Sequence, residues 1–192
     1  RDGVWLDLPT TTEQVQAALR QIGISSDNPQ GLFISGYFAE EEKRFAIPYN
    51  MVLASNVDEL NFLAARLETL SAGERAELNA ALQAPQNELF SIGRITDFPE
   101  NVDYYVHLPD VHGPAQLGDY YLNRSGIVDM PEEWKGGIDT AQFGRYVAQQ
   151  EQGVFTEYGY LVKSGDAWQK VHEGQPVPEE YRVLSFPVPE VL

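Results

Sequence analysis

The chain has 192 residues, with 29 Asp and Glu against 13 Lys and Arg, a formal net charge of −16 and no cysteine. Such a charge repels nucleic acid and anionic membranes, and the lack of cysteine excludes disulfides, thiol nucleophiles and Cys-based zinc sites. An apolar content of 43% is that of a folded protein, so disorder does not account for the acidity.

The chain opens with Val4-Trp5-Leu6-Asp7-Leu8-Pro9, which reads as a short strand stopped by proline. Thr10 with Glu13 three residues later forms a capping-box pattern, Val15, Ala18, Leu19 and Ile22 give one helical face, and Gly23 stands where a C-terminal cap belongs. Leu32 to Phe38 reads as a second strand and Arg44 to Tyr49 as its return, across the charged connection Glu40-Glu41-Glu42-Lys43. The first third is thus expected to be a small sheet with one helix laid on it.

The stretch Asp58–Ala84 organises the middle of the chain. Ser55 with Asp58 repeats the capping signal, and Val57, Leu60, Leu63, Ala64, Leu67 and Leu70 recur at helical spacing. Ser71 with Glu74 opens a second helix at once, with Leu78, Ala81 and Leu82 inward and Pro85 as its stop. The reading is a helical hairpin whose Asp58, Glu59, Glu68, Glu74 and Glu77 face water.

Further on, Pro85 to Gly93 reads as another helical turn, and Asn101 to Leu108 is ambiguous between strand and helix. Pro114 to Ser125 reads as a helix with Leu117, Tyr120 and Tyr121 inward and Gly126 as its cap. Pro131 to Lys135 reads as one turn opened by proline, and Asp139 caps a helix carrying Phe143 and Val147. Gly153 to Val162 and Ala167 to Val171 flank Ser164-Gly165-Asp166, a hairpin signal. The last stretch, with Pro176, Pro178, Pro187 and Pro189, reads as an extended edge segment or arm.

The order of elements predicts an α+β fold, an elongated row of three small modules. These are an N-terminal sheet-plus-helix module at 1–55, a central helical module at 56–105, and a C-terminal α+β module with an extended tail at 106–192. No apolar run approaches the roughly 20 residues of a membrane span. No export leader is read at the start, so a cytoplasmic location is expected.

Catalytic signals are missing. His107 and His112 lie five apart, poor ligand spacing on a helix and opposite faces on a strand, so no metal site is expected. The glycines form neither a G-x-G-x-x-G nor a G-x-x-x-x-G-K loop, and no G-x-S-x-G elbow occurs. The expectation is a protein that is not an enzyme and needs no cofactor. Acidity alone leaves three readings open: a DNA mimic, an acidic adaptor for some other basic partner, and a halophile-like solubility adaptation.

One family unites these pieces. Gly3-Val4-Trp5-Leu6-Asp7-Leu8-Pro9, Glu59-Leu60-Asn61 through Leu70, Leu117-Gly118-Asp119-Tyr120-Tyr121, Ile138-Asp139-x-Ala141-x-x-Gly144-Arg145 and Gly153-Val154-Phe155 occur in this order. Together, to about Val162, they resemble the ArdA antirestriction proteins. The chain departs from the family pattern in Tyr146, where an acidic residue often follows Gly-Arg, and in the stretch beyond about Asp166.

The resemblance implies an elongated homodimer that imitates duplex DNA and blocks the DNA-binding groove of type I restriction–modification enzymes, protecting an incoming plasmid or transposon. It implies no nucleic-acid or membrane partner. The phosphate-mimicking groups it implies are collective: Glu40, Glu41, Glu42, Asp58, Glu59, Glu68, Glu74, Glu77, Glu88, Asp97, Glu100, Asp103, Asp110, Asp119, Asp129, Glu132, Glu133 and Asp139. The dimer contact is expected in the C-terminal module.

Overall fold

The computed structural model describes residues 3–25, 31–85 and 87–184. In chain order the helices are α1 (Thr12–Gln21), α2 (Tyr49–Leu53), α3 (Val57–Leu67), α4 (Ala72–Gln83), α5 (Ile92–Thr96), α6 (Pro114–Asp119), α7 (Glu132–Lys135) and α8 (Thr140–Glu151). The strands are β1 (Tyr105–Leu108), β2 (Val154–Thr156) and β3 (Gly159–Lys163). Helices and a small antiparallel sheet make an α+β chain. No described helix is long and apolar enough to cross a membrane.

The helix starts follow capping chemistry. Ser71 and Glu74 form the expected capping box on α4, and Asp139 accepts from the Gln142 N–H at the start of α8. Two caps sit one residue later than the sequence pattern suggests. Thr11 pairs with Gln14 on α1, since Gln serves at the third position as Glu does, and Asn56 accepts from the Glu59 N–H on α3. Gly23, at φ +72°, closes α1, with the Ile24 N–H donating to the Leu19 carbonyl at 2.9 Å.

The chain divides into two compact units. The first comprises Arg1–Leu70, Leu89–Pro99 and Lys170–Leu192; the second comprises Ser71–Glu88 and Glu100–Gln169. The two helices read as a hairpin therefore belong to different units, α3 to the first and α4 to the second.

In the first unit α3 packs against α5, and Val15, Leu19 and Val183 form a buried cluster with Leu6, Ile24, Leu32, Val57 and Leu184 against it. Buried Asn61 ties distant segments to α3: it accepts from the Thr10 N–H at 2.7 Å and donates to the Tyr181 carbonyl at 3.0 Å. The expected arm is thus seated as far as Leu184, with Glu179–Tyr181 as a 3-10 turn. Pro187 and Pro189 lie outside the described residues.

The N-terminal sheet is a correction. Val4 to Pro9, Leu32 to Phe38 and Arg44 to Pro48 form no strand among the described residues, and α2 begins at Tyr49. Leu6 and Leu32 pack against the α1 cluster and Phe45 is buried, while Trp5 and Phe38 are more than 70% exposed, so these segments are held by side-chain packing rather than by a ladder among the described residues.

In the second unit the sheet runs β1-β3-β2, both pairs antiparallel, with Tyr105 opposite Lys163 and Phe155 opposite Tyr160. The hairpin turns at Glu157-Tyr158. Ser164-Gly165-Asp166 is a turn, with Gly165 at φ +98°, but Ala167 to Val171 forms no strand beyond it. Instead the chain is held beside Asn101, which exchanges hydrogen bonds with Gln169 at 2.9 and 2.6 Å. The core is Val111, Leu117, Ala148 and Tyr160. The helix read from Pro114 to Ser125 is α6 followed by a π-helical turn, Tyr120–Arg124, in which the Ser125 N–H reaches the Tyr120 carbonyl at 2.8 Å.

Candidate acidic interface

The expected carboxylates sort into those that face water and those that hold the fold. In the first unit Glu40, Glu41 and Glu42 stand exposed on a short 3-10 turn around a shallow concavity of about 620 Å³. Among the described residues Glu40 pairs with Lys43 at 3.6 Å, and that pair is solvent-screened. Glu59 and Glu68 are exposed at the two ends of α3, and Glu59 accepts from the Ser55 hydroxyl at 2.8 Å.

In the second unit Glu100, Asp103, Asp110, Asp119, Asp129, Glu132, Glu133 and Asp139 are exposed. Asp119 lies 3.7 Å from Arg124 and Glu132 lies 2.7 Å from Lys135, while Asp139 is occupied in capping α8.

Five of the expected groups differ. Asp97 is fully buried; its carboxylate accepts from the backbone N–H groups of Val171, His172 and Glu173 at 3.2, 2.6 and 3.1 Å. Asp58 is half-buried and accepts from Val183 and Leu184 N–H, both at 2.8 Å, pinning the C-terminal segment to α3. Glu88 is half-buried between the Lys163 ammonium and the Tyr104 hydroxyl. Glu74 is half-buried in its capping box. Glu77 is buried, and desolvation, followed by repulsion from Glu74 and Asp103, pushes its carboxyl up to about 8. At neutral pH it is mostly uncharged, so it does not face water as a phosphate stand-in.

Glu77 makes stability depend on pH with a definite sign. The folded chain keeps a proton that the unfolded chain has lost between about pH 4.5 and 8, so stability falls as pH rises through that window. Glu77→Gln is expected to flatten this decline. Thermal unfolding should match the native chain near pH 4.5 and show a higher midpoint at pH 8.5; an unchanged pH profile would contradict the assignment.

Glu151 is invisible to sequence reading. It accepts from the Tyr160 hydroxyl at 2.6 Å and from the Tyr121 hydroxyl, and both phenols are pushed well above their ordinary range by burial and then by this carboxylate. The signal is weak: one Glu at a helix end, with partners on two other elements.

Despite these structural carboxylates the exterior stays one-sided. Among the described residues, ten exposed Asp and Glu of the second unit face three exposed Lys and Arg, against nine and five in the first. Among the described residues the larger excess of exposed carboxylates therefore lies on the second unit. A second concavity there, about 540 Å³, is lined by Gln83, Pro85, His112 and Val154 to Glu157. Gln83 occupies Glu157, donating to its carboxylate at 2.9 Å and accepting from its N–H at 3.3 Å. His107 meets the Tyr158 carbonyl at 2.6 Å.

Fold and sequence define an acidic α+β protein. The family model described as Antirestriction protein (ArdA) matches residues 1–162, and the chain belongs to that family. Membership carries an antirestriction function, in a family of inhibitors rather than enzymes. No curated protein matches the chain.

Proposed function

We propose that the protein mimics the charge and shape of duplex DNA and occupies the DNA-binding groove of type I restriction–modification enzymes. It acts as an elongated homodimer, each chain a row of three small modules, in the cytoplasm of a cell receiving a plasmid or transposon. The observation that supports this most is the ten-to-three excess of exposed carboxylates over cations on the second unit. Duplex DNA carries about one charge per 1.7 Å of axis, so 16 net charges correspond to roughly 27 Å of duplex. Only an extended chain, doubled in a dimer, brings that charge to DNA-like density.

Distributed charge has a mutational signature. Single exposed changes such as Glu41→Gln, Glu133→Gln or Asp129→Asn are expected to leave protection of an unmodified plasmid from restriction within about twofold, since each exposed charge contributes little alone. Neutralising Glu100, Asp103, Asp110, Asp129, Glu132 and Glu133 together is expected to abolish protection while the fold persists. Loss of protection from a single exposed substitution would contradict the mimicry.

A further inference from the structure

Trp5 is 74% exposed and Tyr49 is 50% exposed, although both side chains are large and mostly apolar. The fold turns Trp5 outward. Its neighbour Leu6 packs on the α1 cluster, and adjacent side chains of an extended segment take opposite faces. Tyr49 opens α2, and Gly36 lies in the extended segment at 32–38. A Cβ at Gly36 would stand 3.6 Å from Cη2 of the Trp5 indole and 3.6 Å from the Tyr49 hydroxyl oxygen. Three separate segments of the first unit thus meet at one point, and there the chain carries no side chain.

The notch between the two rings is open to a cation. Elsewhere the chain lays its own guanidinium groups on rings, Arg94 at 5.0 Å from the Phe90 centroid and Arg124 at 5.5 Å from that of Tyr120. Among the described residues no cation lies over Trp5 or Tyr49, and the two rings make no contact with each other. The segments that carry the notch are acidic on balance. Asp7, Glu40, Glu41 and Glu42 are exposed against Lys43 and Arg44, and Lys43 is paired with Glu40. Such segments attract a cation. A guanidinium suits the rings better than an ammonium, because it is planar, weakly hydrated and stacks on aromatic faces.

We propose that Trp5, Gly36 and Tyr49 form a notch for one arginine side chain of the restriction enzyme, an inference that rests on the inhibitor reading above. The guanidinium lies against the indole face, and the Tyr49 hydroxyl oxygen accepts one of its N–H groups. A groove that binds duplex DNA presents arginines and lysines to phosphates, so a group of this chemistry is at hand. The two kinds of contact divide the work. Exposed carboxylates attract over distance and are screened by salt, whereas the rings act only in contact and hold one arginine in one place.

Displacement of a labelled duplex from a purified type I restriction–modification enzyme by the full chain reads this contact. Trp5→Leu keeps an apolar side chain but loses the aromatic face, and is expected to raise the half-displacing concentration about tenfold. Trp5→Phe keeps a face and is expected to stay within about threefold of the native chain. Gly36→Leu fills the notch and is expected to match Trp5→Leu. Gly36 has no positive φ, so its backbone accepts a side chain, and circular dichroism confirms the fold of each variant. Native-like displacement by Trp5→Leu or by Gly36→Leu would overturn the notch. Equal losses in Trp5→Leu and Trp5→Phe would overturn it as well. If the native chain displaces no duplex, the inhibitor reading itself falls, and the notch with it.

Discussion

Gly144→Ala is expected to destabilise the second unit by at least about 3 kcal/mol, or to prevent its folding. Gly144 on α8 faces the N-terminal turn of α6, and a Cβ there would overlap the Pro114 carbonyl and stand 2.9 Å from the Gly118 amide nitrogen. Gly118 is placed reciprocally, its added Cβ overlapping the Thr140 carbonyl. The obstacles are backbone atoms, which cannot swing aside as a side chain tip would. The helices would have to separate and open the core of Val111, Leu117, Ala148 and Tyr160. Ordinary helix propensity pushes the other way, because Ala is favoured over Gly by about 1 kcal/mol in a helix interior. Gly73 on α4 supplies the control. A methyl group added there would meet nothing within 4 Å, so Gly73→Ala should be neutral or stabilising by up to about 1 kcal/mol. Denaturant unfolding of the native chain and the two variants checks the order; equal midpoints for Gly73→Ala and Gly144→Ala would refute the close-packing account.

The second large effect is expected at Asp97. Asp97→Ala removes the acceptor of three backbone N–H groups in a site without water access to the side chain, and should cost about 3–5 kcal/mol. Asp97→Asn keeps one acceptor oxygen but turns an amide N–H₂ toward donors, so it should cost nearly as much. The contrast with an exposed carboxylate separates structure from function. Glu41→Gln removes the same formal charge but should leave the unfolding midpoint unchanged. Thermal melts of Asp97→Asn and Glu41→Gln that coincide would show that Asp97 does not hold residues 171–173 in place.

These two sites illustrate what can and cannot be seen in the residues alone. Helix starts are legible because their chemistry is local: Ser71 with Glu74 and Asp139 with Gln142 lie within one turn. Even the misplacements at Thr11 and Asn56 are shifts of one residue among adjacent capping side chains. The N-terminal strands fail for a different reason. Alternation at 32–38 reports which side chains turn inward, and Leu32 and Ile34 are indeed less exposed than Phe33. It does not report whether a second strand lies alongside. For the same reason the local turn at Ser164-Gly165-Asp166 is visible, while the pairing of β3 with β1, more than fifty residues earlier, is not.

Charge sign is legible and charge role is not. Asp97 looks like any acidic residue after a short helix until residues 171–173 arrive from the far end of the chain. Glu77 falls off the stripe of Leu78, Ala81 and Leu82, which argues for solvent. In the fold every residue from Glu77 to Leu82 is buried, so α4 has no outer face over that length. The family resemblance, by contrast, rests on the order of short segments to about Val162, and the family match spans residues 1–162.

The central claim is that the protein and duplex DNA compete for one groove. The direct test is displacement of a labelled duplex from a purified type I restriction–modification enzyme by the unlabelled protein, repeated from about 50 to 200 mM salt. Full competitive displacement is expected, with an apparent affinity that falls log-linearly and steeply as salt rises, because carboxylates replace phosphates against the same basic residues. A ternary complex in which enzyme holds duplex and inhibitor together, or an affinity indifferent to salt, would contradict DNA mimicry.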